Sequence, residues 1–179
     1  MRRPAIQRLS ACLLVALAAS CVPAPPKVAP APRVIRTAPP PPPPAPAAVG
    51  PDWRDWPLTP GTWSYRQDER GSLALFGPAG GDALLTLRCD MRARAVYLSR
   101  AGAATAPLTL RSTSLTRMVA VQPTGGTPPY VAAALSPTDP LLDALGFSRG
   151  HFVVEQAGAP TLVVPAWAEV ERVTQDCRG

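Results

Sequence analysis

The run Thr62-Trp63-Ser64-Tyr65-Arg66-Gln67-Asp68-Glu69-Arg70-Gly71-Ser72-Leu73-Ala74-Leu75-Phe76 carries the pattern that decides the fold. Two segments that contain apolar residues, 62–66 and 72–76, flank the polar turn 68–71, and this arrangement is typical of a β-hairpin. Short segments of the same kind continue along the chain and are separated by Gly, Pro and Asp residues. They predict further strands at 83–89, 95–99, 108–112, 116–121, 130–135, 152–155 and 161–164.

Two helices are expected among these strands. Residues 139–146 begin with a capping residue followed by proline and end on glycine, which favours a short helix. Residues 166–177 place Trp167, Val170 and Val173 on one face, with Cys177 one turn further on. Nine short strands and two short helices predict a mainly β fold, either a small β-sandwich or an open barrel, preceded by a disordered Pro-rich linker.

The amino terminus has the layout of a secretion signal. Basic residues at the start are followed by the uncharged run 9–20, which is too short for a membrane-spanning helix of about 20 residues. The run ends in Leu17-Ala18-Ala19-Ser20-Cys21, which resembles the lipobox of bacterial lipoproteins. That resemblance implies a signal peptide at 1–20 and an acylated Cys21 as the first mature residue. Ordinary cleavage, leaving a soluble periplasmic protein, is the alternative.

The residue after Cys21 bears on the destination. Val22 stands where an aspartate would resemble the retention signal of the inner membrane. The resemblance therefore implies a lipid anchor in the outer membrane, with the domain facing the periplasm. The membrane is then a partner through several acyl chains, and more than one chain is what stable anchoring requires.

Residues 21–51 form the expected tether. Thirteen prolines lie between Val22 and Pro51, including the unbroken run 39–44. Such a segment cannot build a core and favours an extended polyproline II conformation that could reach about 90 Å. A ligand for an aromatic groove is the other interpretation of a Pro-rich segment. We expect a spacer that leads into a single β-rich domain at 52–179.

The charge of the chain does not indicate a nucleic-acid partner. The formal net charge of +6 comes from the signal and the tether, because residues 52–179 contain twelve arginines and twelve acidic residues. This domain has no basic run and no basic helix face, as a binder of phosphate backbones would need. A nucleic-acid partner is therefore not expected.

The four cysteines have separate expected fates. Cys12 leaves with the signal and Cys21 takes the lipid, so Cys89 and Cys177 remain in a compartment that permits disulfides. We expect these two to pair, with the C-terminal helix carrying Cys177 to Cys89. No Cys-x-x-Cys and no histidine-cysteine cluster is present, so no metal and no cofactor is expected.

Two features could bind a ligand. Trp53, Trp56 and Trp63 lie within eleven residues and could line a groove for peptidoglycan or another glycan, or could instead seal the edge of the core. Arg149, in Ser148-Arg149-Gly150-His151, could contact an anion or a carboxylate.

Catalysis is not expected. A nucleophilic triad needs a serine bonded to a base that a carboxylate orients. On an extended chain Ser148 and His151 point to opposite faces, and neither a G-x-S-x-G nor an S-x-x-K motif is present.

The carboxy-terminal part also carries a resemblance. Asp139-Pro140-Leu141-Leu142-Asp143, Phe147-Ser148-Arg149-Gly150 and the stretch from Trp167 to Arg178 resemble a group of uncharacterised proteobacterial envelope lipoproteins. A fainter similarity is to the invasion-associated locus B type of small secreted β-domain. Neither group implies catalytic residues. The expected function is therefore a non-enzymatic binding or envelope-support role, with peptidoglycan or an envelope protein as a possible partner, and a periplasmic hydrolase as the remote alternative.

Overall fold

The computed structural model describes residues 50–179. The expected signal 1–20, the lipidated Cys21 and the tether up to residue 49 lie outside the described residues. The part described is mainly β, as expected, and contains a 3-10 turn at Trp53–Asp55, ten strands and two helices. The strands are β1 (Thr62–Asp68), β2 (Gly71–Gly77), β3 (Leu85–Asp90), β4 (Ala95–Ala101), β5 (Leu108–Arg111), β6 (Thr116–Val119), β7 (Gln122–Pro123), β8 (Tyr130–Leu135), β9 (His151–Gln156) and β10 (Ala159–Pro165); the helices are α1 (Pro140–Gly146) and α2 (Ala168–Arg178).

The strands form two antiparallel sheets. The larger sheet has the order β1-β2-β3-β4-β8-β7, and the smaller has the order β10-β9-β5-β6. The hairpin predicted from 62–76 is β1–β2, in which Thr62 pairs with Gly77 and Asp68 with Gly71. Gly71 has φ +138°, and a Cβ there would lie 2.6 Å from the carbonyl oxygen of Cys89, so only glycine fits this turn.

One core joins the two sheets and the two helices. The alternation along the strands places one set of side chains inside, and the largest fully buried ones come from both sheets and from α1. The described residues therefore form a sandwich with a single core. Its largest buried side chains include Phe76, Leu85, Leu87, Leu98, Leu108, Leu110, Leu141, Leu145 and Phe152.

The C-terminal helix differs from its prediction at its first turn. α2 begins at Ala168, and Trp167 is its extended N-cap residue with 46% of its surface exposed. Trp167 is therefore not on the buried face, which consists of Val170, Val173 and Thr174. The Oγ1 of Thr174 donates to the Val170 carbonyl at 3.0 Å, which allows a threonine to be buried there.

α2 packs against β2 and β3 of the larger sheet. The structure joins Cys89 on β3 and Cys177 on α2 by a disulfide, with their Cα atoms 5.3 Å apart. On the same helix, Asp176 accepts a hydrogen bond of 2.6 Å from the Tyr65 hydroxyl, and the Arg172 guanidinium lies 3.9 Å from the centre of the Tyr65 ring. The helix is thus held to the sheet by a covalent bond at its end and by polar contacts to β1.

Candidate functional site

Three loops meet at one end of the sandwich: the entry segment 50–56, the β5–β6 turn 112–115, and the connection 147–150 between α1 and β9. Hydrogen bonds join the second and third, and the first contacts His151 at the start of β9, as described below. Arg149 and Trp53, two of the residues selected from the sequence, lie here. Since ligand-binding residues are often carried by loops on a rigid scaffold, this end is the candidate site.

The entry segment is fixed by its own cap and by His151. The Asp52 side chain accepts a hydrogen bond from the Arg54 backbone at 3.0 Å, and this bond, with the nearby guanidinium, lowers the pKa of Asp52. The Trp53 ring meets the His151 ring edge-on, with centroids 5.5 Å apart, and His151 Nε2 lies 3.1 Å from the Trp53 carbonyl oxygen. The only histidine therefore serves here to hold the start of the domain against β9.

Ser148 is used in the same structural way. It is buried, its hydroxyl donates to the His151 carbonyl oxygen at 2.5 Å, and it accepts from the Thr113 backbone at 3.2 Å. The Arg149 backbone in turn donates to the Thr113 hydroxyl at 3.3 Å. No hydrogen bond joins the side chains of Ser148 and His151 among the described residues, so this pair is not arranged as a nucleophile and its base.

Phe147 directly follows helix α1 and lies on the surface. Asp139 caps the helix by accepting from the Leu141 backbone at 2.8 Å and also binds Arg117 at 2.8 Å. Burial alone would raise the pKa of Asp139, but the hydrogen bonds from Arg117 and Leu141 outweigh it and lower the pKa. Phe147 follows the last helical residue, and 69% of its surface is exposed. The Phe147 ring therefore lies open to solvent next to the loop residues Ser114 and Arg149.

A cleft of about 530 Å³ lies between these elements. It is lined by Arg54, Thr113, Ser114, Phe147 and Arg149. A second depression of about 410 Å³ shares Ser114 and Phe147 with it, and its other lining residues are mostly apolar: Leu115, Pro140, Asp143 and Ala144. We call the two together the Phe147 cleft. One half has two arginines, and the other, called the apolar half, is mostly apolar.

The three tryptophans do not form one exposed row. Trp63 is 6% exposed, its Nε1 donates to the Pro165 carbonyl at 2.8 Å, and its ring lies 5.4 Å from that of Phe76. Trp63 therefore seals the core, which was one of the two sequence interpretations. Trp53 and Trp56 are partly exposed, and Trp56 Nε1 donates to the Gly50 carbonyl at 2.6 Å.

Sequence reasoning selected Arg149 but not the other residues of the Phe147 cleft. Arg54, Ser114 and Phe147 come from separate loops, and no spacing in the sequence indicates that these loops meet. Phe147 also looks like a core residue in the sequence, because its exposure depends on how α1 ends. The one usable signal was the capped helix followed directly by Phe147-Ser148-Arg149.

Within residues 50–179, no group of three or more His, Cys, Asp or Glu side chains could hold a metal ion. None of the helices in this part of the chain has the length and apolar character needed to cross a bilayer. No family model, no curated protein and no solved structure matches this chain.

Proposed function

We propose that this protein is an outer-membrane lipoprotein with a non-enzymatic binding role, anchored through Cys21 and presenting its β-sandwich to the periplasm. The lipobox-like end of the signal and the Pro-rich segment support the anchor and the tether. The observation that carries the binding role is the Phe147 cleft, in which an exposed aromatic ring and two arginines lie on loops fixed by hydrogen bonds.

The hydrogen bonds at this end also favour binding over catalysis. The Ser148 hydroxyl and the His151 ring, the two groups with potential for nucleophilic chemistry, are bonded to the backbone carbonyls of His151 and Trp53, respectively. A general base must be able to reach the proton that it removes. A hydrolase activity abolished by Ser148→Ala, in a variant that remains folded, would contradict the proposal.

The anchor is tested by the intact mass of the protein extracted from its own envelope without reducing agent. We expect the mass of Cys21–Gly179 plus diacylglyceryl and acyl groups, less two hydrogens for the disulfide. The Cys21→Ser variant, as a control, should lose the lipid and leave the membrane fraction. An unmodified mass for the wild-type protein would make it a soluble periplasmic protein.

A second candidate function is recognition of peptidoglycan or another glycan by tryptophan. The partly exposed rings of Trp53 and Trp56 favour it, because aromatic faces are apolar surfaces with a polar edge. Sacculus pull-down tests it: Trp53→Ala and Trp56→Ala should lose retention while the far-UV spectrum is unchanged. Trp167→Ala is the matched control, since Trp167 is exposed at the start of α2. Equal retention of all three variants would argue against a tryptophan site.

A further inference from the structure

We propose that the Phe147 cleft binds the free carboxylate end of a short peptide, and that in the envelope this peptide is the stem peptide of the cell wall. The inference rests on the proposed function, since it requires the domain to be in the periplasm. It adds the site, the chemistry of the ligand and the residues that recognise it.

The charged half of the cleft fits a carboxylate. Arg149 is exposed, and its guanidinium has no ion pair or hydrogen bond within the described part of the chain. Arg54 uses Nη1 for Asp52 at 3.3 Å, and both side chains of this pair are about half exposed. Guanidinium groups bind carboxylates through paired N–H donors, which is stronger than neutral hydrogen bonding. The exposed Ser114 can add a hydroxyl donor from the third side.

The acidic partner of Arg54 and the acidic residue that lines the apolar half are already engaged. Asp52 is bound to Arg54, and Asp143, which lines the apolar half, lies 2.8 Å from Arg178. The Asp143 carboxylate, which accepts from the Arg178 guanidinium, raises the pKa of Arg178, as expected for a paired charge. Arg149 therefore leaves the cleft with an unmatched positive charge, which favours an anionic ligand.

The apolar half fits small aliphatic side chains. Phe147, Leu115, Pro140 and Ala144 present carbon surface next to the arginines, with no free cation or anion between them. The combined arrangement suits a chain end that has a carboxylate at one side and methyl groups beside it. A cleft of about 530 Å³ has the size of a small-ligand site, sufficient for two or three residues.

The cell wall is the source that fits the proposed location. The proposed anchor in the outer membrane would hold the domain beside the wall, where short peptides with free carboxylates are attached to the glycan. Stem peptides end in D-alanine, whose methyl group matches the small apolar half. The C-terminus of a protein carries the same carboxylate but consists of L-amino acids. The test must therefore separate stem peptides from protein C-termini by chirality.

The test is titration of the folded protein with diacetyl-Lys-D-Ala-D-Ala, monitored by calorimetry and by amide chemical shifts. The free acid should bind saturably and the C-terminal amide about tenfold more weakly, because the charged hydrogen bonds are lost. Arg149→Gln should weaken the acid to the level of the amide and leave the amide unchanged. Arg92→Gln, an exposed arginine in the β3–β4 turn, is the matched control and should bind like the wild type.

Phe147→Ser tests the apolar half and should weaken the acid and the amide equally. Equal binding of acid and amide by the wild type, no saturable binding of either, or the same loss in Arg92→Gln and Arg149→Gln would each overturn the inference. Tighter binding of the matching L-Ala-L-Ala peptide would assign the cleft to protein C-termini and overturn the cell-wall source. None of these outcomes depends on the lipid anchor, which the intact mass tests separately.

Discussion

Arg100 is a core residue whose residue type alone predicts a surface position. It lies on β4, is 2% exposed and points between the sheets, where Nη1 donates to the Val154 carbonyl at 3.2 Å and Nη2 donates to the Pro160 carbonyl. Burial lowers the pKa of Arg100, and its Nε has no partner in the described structure. Alternation along 95–101 does assign position 100 to the inner face, but the residue type predicts the opposite.

We expect Arg100→Ala to reduce the free energy of unfolding by about 2–4 kcal/mol, because it leaves a cavity and two carbonyl groups without their donor. Arg100→Met should cost less, since it fills the volume and removes a buried charge. Urea denaturation measures both. Arg66→Ala, at an exposed position of β1, is the control and should stay within about 0.5 kcal/mol of the wild type. Equal stability of Arg100→Ala would mean that the guanidinium does not link the sheets.

Ser148 gives a second prediction at the scale of one residue. Its hydroxyl bonds the Thr113 N–H in the β5–β6 turn and the His151 carbonyl at the start of β9, so Ser148→Ala should destabilise the domain by about 1–3 kcal/mol. Ser114→Ala, in the neighbouring loop but exposed, should have little effect on thermal unfolding. A Ser148→Ala variant as stable as Ser114→Ala would show that the hydroxyl is not required for the loop contact.

Two ion pairs join the β1–β2 turn to strand β3. Arg88 on β3 binds Asp68 at the end of β1 at 2.8 Å, and Arg70 in the β1–β2 turn binds Asp90 at the end of β3. The hydrogen bond from Arg88, followed by that from the Arg70 backbone, lowers the pKa of Asp68 to about 2. Hydrogen bonds from the Ala93 backbone and from Arg70 lower the pKa of Asp90 as well.

This depressed pKa predicts a pH dependence. The contribution of Asp68 to stability should be fully present above its ordinary pKa of 3.8 and lost as the pH falls through about 2. NMR titration of the carboxyl carbon should give a midpoint near 2, and Arg88→Gln should move it toward 3.8. A midpoint near 3.8 in the wild-type protein would contradict the ion pair, and so would an unchanged midpoint in the Arg88 variant.

The disulfide sets the behaviour of α2. It closes a chain separation of 88 residues, for which chain entropy gives at most about 4–5 kcal/mol of stabilisation. Reduction, or the double variant Cys89→Ala/Cys177→Ala, should lower the thermal midpoint. The rate of hydrogen exchange should then increase most in α2, which the disulfide holds at its end, and least in β9. Equal acceleration in α2 and β9 would mean that the helix is secured by packing alone.

The elements were predicted from the sequence where one local rule decides them. The hairpin at 62–76 and the capped helix α1 follow from turn and cap residues, and their bounds agree closely with the prediction. The prediction was wrong at the first turn of α2, where Trp167 lies outside the buried face, and in one strand. The expected strand 116–121 ends at Val119, and the chain then continues as β7 in the other sheet. Alternation reports which side of a strand is buried, but not which sheet the strand joins.

The crossing between β6 and β7 explains how the described residues close around one core. Val121, between the two strands, is 4% exposed and belongs to the core cluster, so the chain keeps one side chain in the core as it passes from the smaller to the larger sheet. On the other side, the Thr59 backbone donates to the Val163 carbonyl at 2.9 Å, and Trp63 bonds Pro165. Because the two sheets are linked at both edges, this sandwich approaches a barrel. The sandwich and the open barrel were the two alternatives that the strand pattern had left open.

A contact of Trp53 bears on where the domain starts. The sequence placed the boundary at residue 52, and Trp53 contacts His151 through its ring and its carbonyl. A protein of residues 50–179 should therefore unfold cooperatively, whereas residues 57–179 should be less stable by about 1–2 kcal/mol, because the His151 ring loses its aromatic and hydrogen-bonding partner. Thermal unfolding of both measures the difference, and Trp53→Ala in residues 50–179 should reproduce most of it. Equal stability of the two proteins would assign residues 50–56 to the tether, and the Phe147 cleft would then lose Arg54 as a fixed wall.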